Sequence, residues 1–351
     1  MREHTYIVLM AGGSGTRFWP LSRRTRPKQM LPIAGASPMI RETVDRLGGL
    51  VPPERVLVVT GADQADAIKE VLPEVPEANF LLEPAPRNTA PCLGLAAVTA
   101  LQRDPEAVLL CLPADHVIRP AEAFRNALTL ATRRADEAGT LLTFGIRPTR
   151  PATGYGYILA GAEAVPGVRA IDEFVEKPDE KTAKEYVKDG RYRWNSGMFA
   201  WRADAFLKEV AAHLPVLSTG LAEIRDDPER LGRVFPTLPS ISVDYGIMER
   251  TRRAEVVDAE FAWDDVGSFE ALSRLIPADQ DGNHIRGDAV VLDGSGLVVV
   301  SPRGRTVGAL GVSDLVIVAT DDVVLVCPRD RAEDVKLLVA RLAETGRENL
   351  A

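Results

Sequence analysis

The sequence predicts an α/β fold: a Rossmann-like, mostly parallel sheet covered by helices on both faces, followed by a second, smaller domain. Three observations carry this. Short β-branched runs alternate with helix-like stretches over the first two thirds of the chain, a pattern that produces parallel strands joined by crossover helices. The runs are continuously apolar, as strands buried on both faces are. After about residue 280 the texture changes to short runs rich in Val, Leu, Gly and Asp.

In chain order, Tyr6–Met10, Val56–Val59, Ala107–Leu112 and Leu141–Phe144 read as buried strands, and Ala90–Arg103 and Ala121–Glu137 as helices. A further helix is delimited by its ends: Pro178-Asp179 opens it, Lys181–Lys188 fill it and Gly190 closes it. Ile285–Val326 suggests small turning strands with no long helix. Asp330 is then expected to cap a final amphipathic helix with Val335, Leu338, Val339 and Leu342 on one face. These elements divide the chain into an expected catalytic domain, 1–280, and a C-terminal domain, 281–351.

Composition narrows the function. Across 351 residues, 46% hydrophobic and 26% charged side chains are the balance of an ordinary globular protein. A net charge of -8 argues against a nucleic-acid binder, which needs a basic face to displace counterions. A nucleotide enzyme remains open, because a few local cations and backbone N–H groups can hold a triphosphate. Cys92, Cys111 and Cys327 are far apart and set in apolar runs, so they read as small buried residues in a reducing compartment. The four histidines show no His-Glu-x-x-His spacing and the cysteines no Cys-x-x-Cys, which argues against a histidine-built metal site. The first apolar run is too short for a signal peptide, and no stretch approaches the roughly 20 apolar residues of a membrane span. The expected location is cytoplasmic.

The first segment with chemistry is Met10-Ala-Gly-Gly-Ser-Gly-Thr-Arg17, directly after the first strand. Glycines there let the backbone approach a phosphate and aim several N–H groups at it. No Gly-Lys-Ser/Thr follows, so it is not a P-loop. Phe18-Trp19-Pro20 stands where a dinucleotide fingerprint would start its helix, which excludes a nicotinamide-dependent oxidoreductase. A tight strand-exit turn is the plainer reading. Arg26-Pro-Lys-Gln-Met-Leu-Pro32 follows, where Lys28 can reach a triphosphate as a point charge or simply be a surface lysine.

Together, Ala11-Gly-Gly-Ser-Gly-Thr-Arg-Phe-Trp-Pro-Leu-Ser22 and Pro27-Lys-Gln29 resemble the signature of the mannose-1-phosphate guanylyltransferases of the sugar-nucleotidyltransferase superfamily. The resemblance continues in order through Glu83-Pro-x-x-Arg-Asn-Thr89, Pro113-Ala-Asp-His116, Gly154-Tyr-Gly-Tyr-Ile158, Phe174-Val-Glu-Lys-Pro178, Trp194-Asn-Ser-Gly-Met-Phe199 and Trp263-Asp-Asp-Val-Gly267. It implies a sheet of the nucleotide-diphospho-sugar transferase type with a small left-handed β-helix-like C-terminal domain, used in packing and in forming a homodimer. It also implies Mg²⁺-dependent transfer of GMP from GTP to mannose 1-phosphate. Some members add a cupin-type isomerase domain; the length and the scarcity of histidines lead us to expect a single activity.

The resemblance further implies roles for individual residues. Ala11, Gly12, Gly13, Gly15 and Thr16 would cradle the triphosphate, Arg17 would hold the leaving pyrophosphate, and Lys28 would contact the reacting phosphates. Lys177 would grip the sugar phosphate. Asp115 and Asp265 would bind the metal, with adjacent Asp264 as the alternative ligand; two carboxylates plus phosphate oxygens and water satisfy Mg²⁺. Glu176, Asn195 and the backbone at Gly154 would read sugar hydroxyls, although Asn195 could instead be a turn residue before Gly197. Glu83, Asn88 and Thr89 fall in the base-side segment, where Asn88 could simply cap the following helix. Asp244 reads as an N-cap. A sister enzyme making another GDP-, dTDP- or UDP-sugar, and a silent sugar-nucleotide-binding homologue, are the competing readings.

Overall fold

The computed structural model describes residues 3–13, 15–302 and 304–350. It resolves into two compact units whose boundaries cut across the sequence. One comprises residues 1–12, 44–114 and 118–263, the other residues 13–43, 115–117 and 264–351.

The larger unit is built on a nine-stranded sheet. Its strand order is Phe80–Glu83, Val56–Gly61, Thr5–Met10, Val108–Pro113, Tyr192–Arg202, Leu141–Ile146, Ala254–Asp258, Val168–Val175, Tyr157–Val165. The four strands from Phe80–Glu83 to Val108–Pro113 run parallel; the apolar runs predict three of them, and Phe80–Glu83 is a short edge strand the sequence reading missed. The remainder is mixed: Tyr192–Arg202 pairs antiparallel with both its neighbours, and the Val168–Val175 and Tyr157–Val165 hairpin is antiparallel. The sheet is therefore wholly parallel in one half and mixed in the other, where Leu141–Ile146 and Ala254–Asp258 still pair in parallel. The hairpin strands are only partly buried, with Ala162, Glu163, Ala164, Asp172 and Glu173 exposed, so they lack the two-sided burial that marks parallel strands.

The expected helices form at Thr89–Arg103 and Ala121–Ala138. The helix Glu180–Asp189 is capped as its ends predict: the Asp179 carboxylate accepts from the Thr182 amide at 2.8 Å, and Gly190 takes the left-handed conformation that ends it. The core stacks Trp201 between Phe199 and Phe206, with ring centroids 5.2 and 4.4 Å apart and each ring almost fully buried. Each large side chain so buried stabilises the fold by about 1.5–3 kcal/mol. Cys92, Cys111 and Cys327 are free thiols, the first two buried. Among the described residues, no helix is long and apolar enough to cross a membrane.

In the smaller unit the chain coils. His284–Arg286, Val298–Val300 and Leu315–Ala319 stack in parallel, as do Asp288–Leu292 and Thr306–Leu310, and Val324–Pro328 closes the stack antiparallel. Its core joins Val298, Val300, Val316, Val318, Leu325, Val335 and Leu342 to Phe18, Trp19, Leu31 and Phe269. The segment after the first strand thus shares a core with the C-terminal coils. Phe18 lies 4.9 Å from Phe269, and the Trp19 indole donates to the Leu350 carbonyl at 2.6 Å.

The final helix differs from expectation. A 3₁₀ turn covers Arg329–Asp334, so Asp334 and not Asp330 precedes the helix Val335–Glu344. Val335 and Leu342 are buried, but Leu338 is 45% exposed. Residues seven apart share a helix face, and the buried face is narrower than the apolar stripe in the sequence suggested.

Candidate active site

In the smaller unit, the glycine-rich turn is built around one lysine. Gly15 is left-handed (φ 62°), and a Cβ there would lie 2.5 Å from the Lys28 Cβ and 2.8 Å from its backbone nitrogen. Only glycine allows both the conformation and the approach. Ser22 Oγ donates to the Gly15 carbonyl at 2.7 Å, fixing the turn. Gly13 faces open space, Thr16 is half-buried at the start of a 3₁₀ turn, and Arg17 is exposed. Ser14 lies outside the described residues.

Lys28 is buried, 6% exposed. Its ammonium donates to Asp115 Oδ2 at 2.8 Å and to the Asp265 backbone carbonyl at 2.6 Å. The surface-lysine alternative therefore falls. Burial alone would raise the Asp115 carboxyl; the charges of Lys28 and His116 outweigh it and hold it below the usual carboxylate range. An ionised pair of this kind keeps its position because either charge left alone would be costly.

The two adjacent aspartates of the neighbouring turn have different partners. Asp264 is bound in a fork by Arg274 at 2.6 and 3.0 Å and accepts the Val266 amide at 2.8 Å. Its carboxylate is committed to structure. That of Asp265 packs on the turn, 3.1 Å from where a Gly267 Cβ would sit. Lys28 thus joins the Asp115 carboxylate to the backbone of Asp265.

In the larger unit, Ala11 is locked to the sheet by its amide, which donates to the Val59 carbonyl at 2.8 Å. A Cβ on Gly12 would come within 2.9 Å of Glu83 Oε2. Burial pushes the Glu83 carboxyl up to about 7, and its Oε1 is buried with no hydrogen-bond partner among the described residues. Asn88 caps the helix Thr89–Arg103 through the Thr89 amide at 2.8 Å, and Thr89 Oγ1 accepts from the Val243 amide at 2.9 Å. The cap alternative for Asn88 is what its side chain does in this structure.

A second cluster gathers in the same unit. Lys177 holds a positive φ of 50° immediately before Pro178, a strained conformation for a non-glycine residue and one that proline ordinarily disfavours in its predecessor. Its ammonium meets Glu176 Oε1 at 2.9 Å. Burial opposes the charge of Lys177, but the bond to Glu176 prevails and raises its pKa. Glu176 Oε2 is buried with no partner among the described residues. A Cβ on Gly156 would come within 2.4 Å of that oxygen and 3.3 Å of the Asn195 Cβ, so Gly156 is where Glu176 and Asn195 meet. Gly154, by contrast, is exposed with no atom near its missing Cβ.

Asn195 is buried in the sheet, not in a turn, and its side chain bonds Thr143, Asp244 and the Gly197 amide. Asp244 corrects the sequence reading: it makes no capping bond, and the Ser242 hydroxyl accepts the Tyr245 amide instead, at 3.3 Å. A Ser-x-Asp tripeptide offers two capping residues and nothing in sequence to choose between them. Gly156 was missed for a similar reason, since Gly154 and Gly156 alternate in one motif.

Residues 6–282 match the nucleotidyl transferase family, and residues 287–342 the MannoseP isomerase/GMP-like beta-helix domain. The chain is 40% identical to the mannose-1-phosphate guanylyltransferase of Klebsiella pneumoniae over 97% of this chain and 74% of that one. It is 41% identical to the xanthan biosynthesis protein XanB of Xanthomonas campestris pv. campestris, over 97% and 73%. A crystal structure from Thermus thermophilus, described as a mannose-1-phosphate geranyltransferase, superposes with a TM-score of 0.89 at 41% identity, covering 97% of this chain and 99% of that one. With the family model matching residues 6–282 and these relatives matching 97% of it, the chain belongs to the mannose-1-phosphate guanylyltransferases of the nucleotidyl transferase family.

Proposed function

We propose that this chain transfers GMP from GTP to α-D-mannose 1-phosphate, giving GDP-mannose and pyrophosphate by direct in-line displacement. The observation that carries the reading is the buried Lys28 ammonium, held beneath the glycine turn by Asp115 and the Asp265 carbonyl. A sugar-phosphate oxygen attacks the α-phosphorus and the pyrophosphate leaves on the opposite side, so the protein's task is to position the groups and stabilise charge.

Backbone N–H groups of Gly12, Gly13, Gly15 and Thr16 cradle the triphosphate, Ala11 anchors that segment to the sheet, and exposed Arg17 holds the departing pyrophosphate. Lys28 presents its charge to the reacting phosphates, a fixed donor that needs no reorganisation as charge develops. Lys177 exchanges Glu176 for the sugar phosphate, while Glu176 and Asn195, beside Gly156, and the Gly154 backbone contact sugar hydroxyls. Glu83, with Asn88 and Thr89, reads the base, the carboxyl facing the N–H edge of guanine.

The hard oxygen set of Asp115 and Asp265 fits a divalent cation such as Mg²⁺, completed by phosphate oxygens and water. When bound, the ion supplies positive charge at the reacting phosphate. The same reading places the enzyme in the cytoplasm as a homodimer, with residues 1–280 carrying catalysis and 281–351 assembly.

Pyrophosphate release is to be measured with GTP, ATP, UTP and dTTP against mannose and glucose 1-phosphates in the presence of Mg²⁺. GTP with mannose 1-phosphate should give the highest kcat/KM. A higher value for another pair would make this a sister enzyme, and no release from any pair would make it a silent homologue.

A further inference from the structure

Asp244 takes no part in the mechanism above, yet it touches a side chain assigned to the sugar. Its Oδ1 accepts from Asn195 Nδ2 at 2.7 Å. On the other side of that carboxamide, Oδ1 lies 2.8 Å from the Thr143 hydroxyl and 3.3 Å from the Gly197 amide nitrogen.

A carboxamide is nearly symmetric in shape, so its neighbours decide which end donates. Thr143 does not decide, because its hydroxyl also lies 3.0 Å from the Met198 carbonyl. It can donate there and accept from the amide, or donate to the amide. The Gly197 contact is long. Asp244 is decisive: an ionised carboxylate only accepts, and a turned amide would set two oxygens 2.7 Å apart.

We propose that Asp244 is a positioning residue for the sugar site: its carboxylate turns the NH₂ end of Asn195 toward itself and leaves the second N–H to donate to a sugar hydroxyl. This rests on the reading of Asn195 as a sugar contact. The charged and titratable groups around Asp244 are Glu176 and Lys177 from the strand-end segment, and Tyr245 and Glu249 from its own turn. Burial, reinforced by the Glu176 charge, pushes the Asp244 carboxyl up to about 6 against the opposing effects of Asn195 and Lys177. Once protonated it can donate its own O–H, and the turned amide becomes acceptable.

The test combines kinetics with the side-chain amide signal of Asn195 in protein carrying ¹⁵N-labelled asparagine. In the parent, that NH₂ signal should titrate with a midpoint near pH 6, and in Asp244→Asn the titration should vanish. The variant should raise the KM for mannose 1-phosphate roughly tenfold, the worth of one charge-assisted hydrogen bond, and leave the KM for GTP within about twofold. The substrate phosphate titrates in the same range, so the signal in the pH profile of that KM is the difference between parent and variant.

An unchanged sugar-phosphate KM in Asp244→Asn, or no amide titration in the parent, overturns the proposal. Equal rises in both KM values, with loss of thermal stability, would reduce Asp244 to a structural role and also overturn it. The amide titration needs no substrate. A parent that titrates but does not use mannose 1-phosphate would therefore contradict the proposed function and leave the Asp244–Asn195 coupling standing.

Discussion

Glu83 places a carboxyl where the fold gives it little to bond: Oε1 has no partner among the described residues, and Oε2 abuts the glycine backbone at position 12. Its pKa of about 7 lies above the ordinary carboxylate value, so between about pH 4.5 and 7 the folded state holds a proton that the unfolded chain has lost. The native state binds more protons over that window, and stability falls as pH rises through it. Glu83→Gln removes the ionisable group and keeps the shape. The variant should exceed the parent by roughly 1–3 kcal/mol at pH 8 and match it near pH 4. Urea unfolding at the two pH values checks this, and equal stability at pH 8 would show that bound solvent satisfies the charge. At this scale the motif residues were legible where geometry forces a residue type, as at Gly15 against Lys28. Asp244 and Gly156 were not, because their roles depend on partners about 50 and 20–40 positions away, Asn195 for the first and Glu176 with Asn195 for the second.

The turn after Trp263 gives neighbouring aspartates different partners. Asp264 holds Arg274 and the Val266 amide, and Val266 takes a positive φ of 48°, a strained state for a β-branched residue. Asp265 follows, with its carbonyl on Lys28. Asp265→Asn should raise the Mg²⁺ concentration for half-maximal rate and lower the maximal rate. Asp264→Asn should keep a near-parental Mg²⁺ midpoint and lose thermal stability by about 1–3 kcal/mol, since it breaks a forked ion pair and an amide bond. Initial rates against Mg²⁺ and thermal melts of both variants decide it; a raised Mg²⁺ midpoint for Asp264→Asn with a parental one for Asp265→Asn would reverse the assignment. Helix ends divide in the same way. Asp179 and Gly190 were readable because both ends of that helix carry local signals, whereas Asp330 misled because a 3₁₀ turn delays the helix by one turn.

For the whole molecule, the alternation of apolar runs made the parallel half of the sheet legible. Its mixed half was less so, because the pairing there is set by long-range register. The core of the smaller unit was legible only at the final helix, where Val335 and Leu342 were read as its buried face. Phe18, Trp19 and Leu31 read as part of a phosphate-binding segment, yet they pack on Val298, Val316 and Leu342. Cutting the chain after residue 280 removes those partners and exposes several large apolar side chains, each worth about 1.5–3 kcal/mol. The 1–280 fragment should therefore aggregate or bind a hydrophobic dye, as size-exclusion chromatography and dye fluorescence would report. A monodisperse fragment with the parental melting temperature would show that these residues find other cover.

The shared core also bears on how such chains can be recombined. A chimera that exchanges only the C-terminal coils between two relatives pairs one parent's Phe18 and Trp19 with the other's valines, and inherits a mismatched interior. The portion that can be exchanged intact is discontinuous: residues 13–43, 115–117 and 264–351 would have to travel together. Substitutions in the glycine-rich turn and in the distant coils are therefore expected to compensate one another across nearly the full length of the sequence.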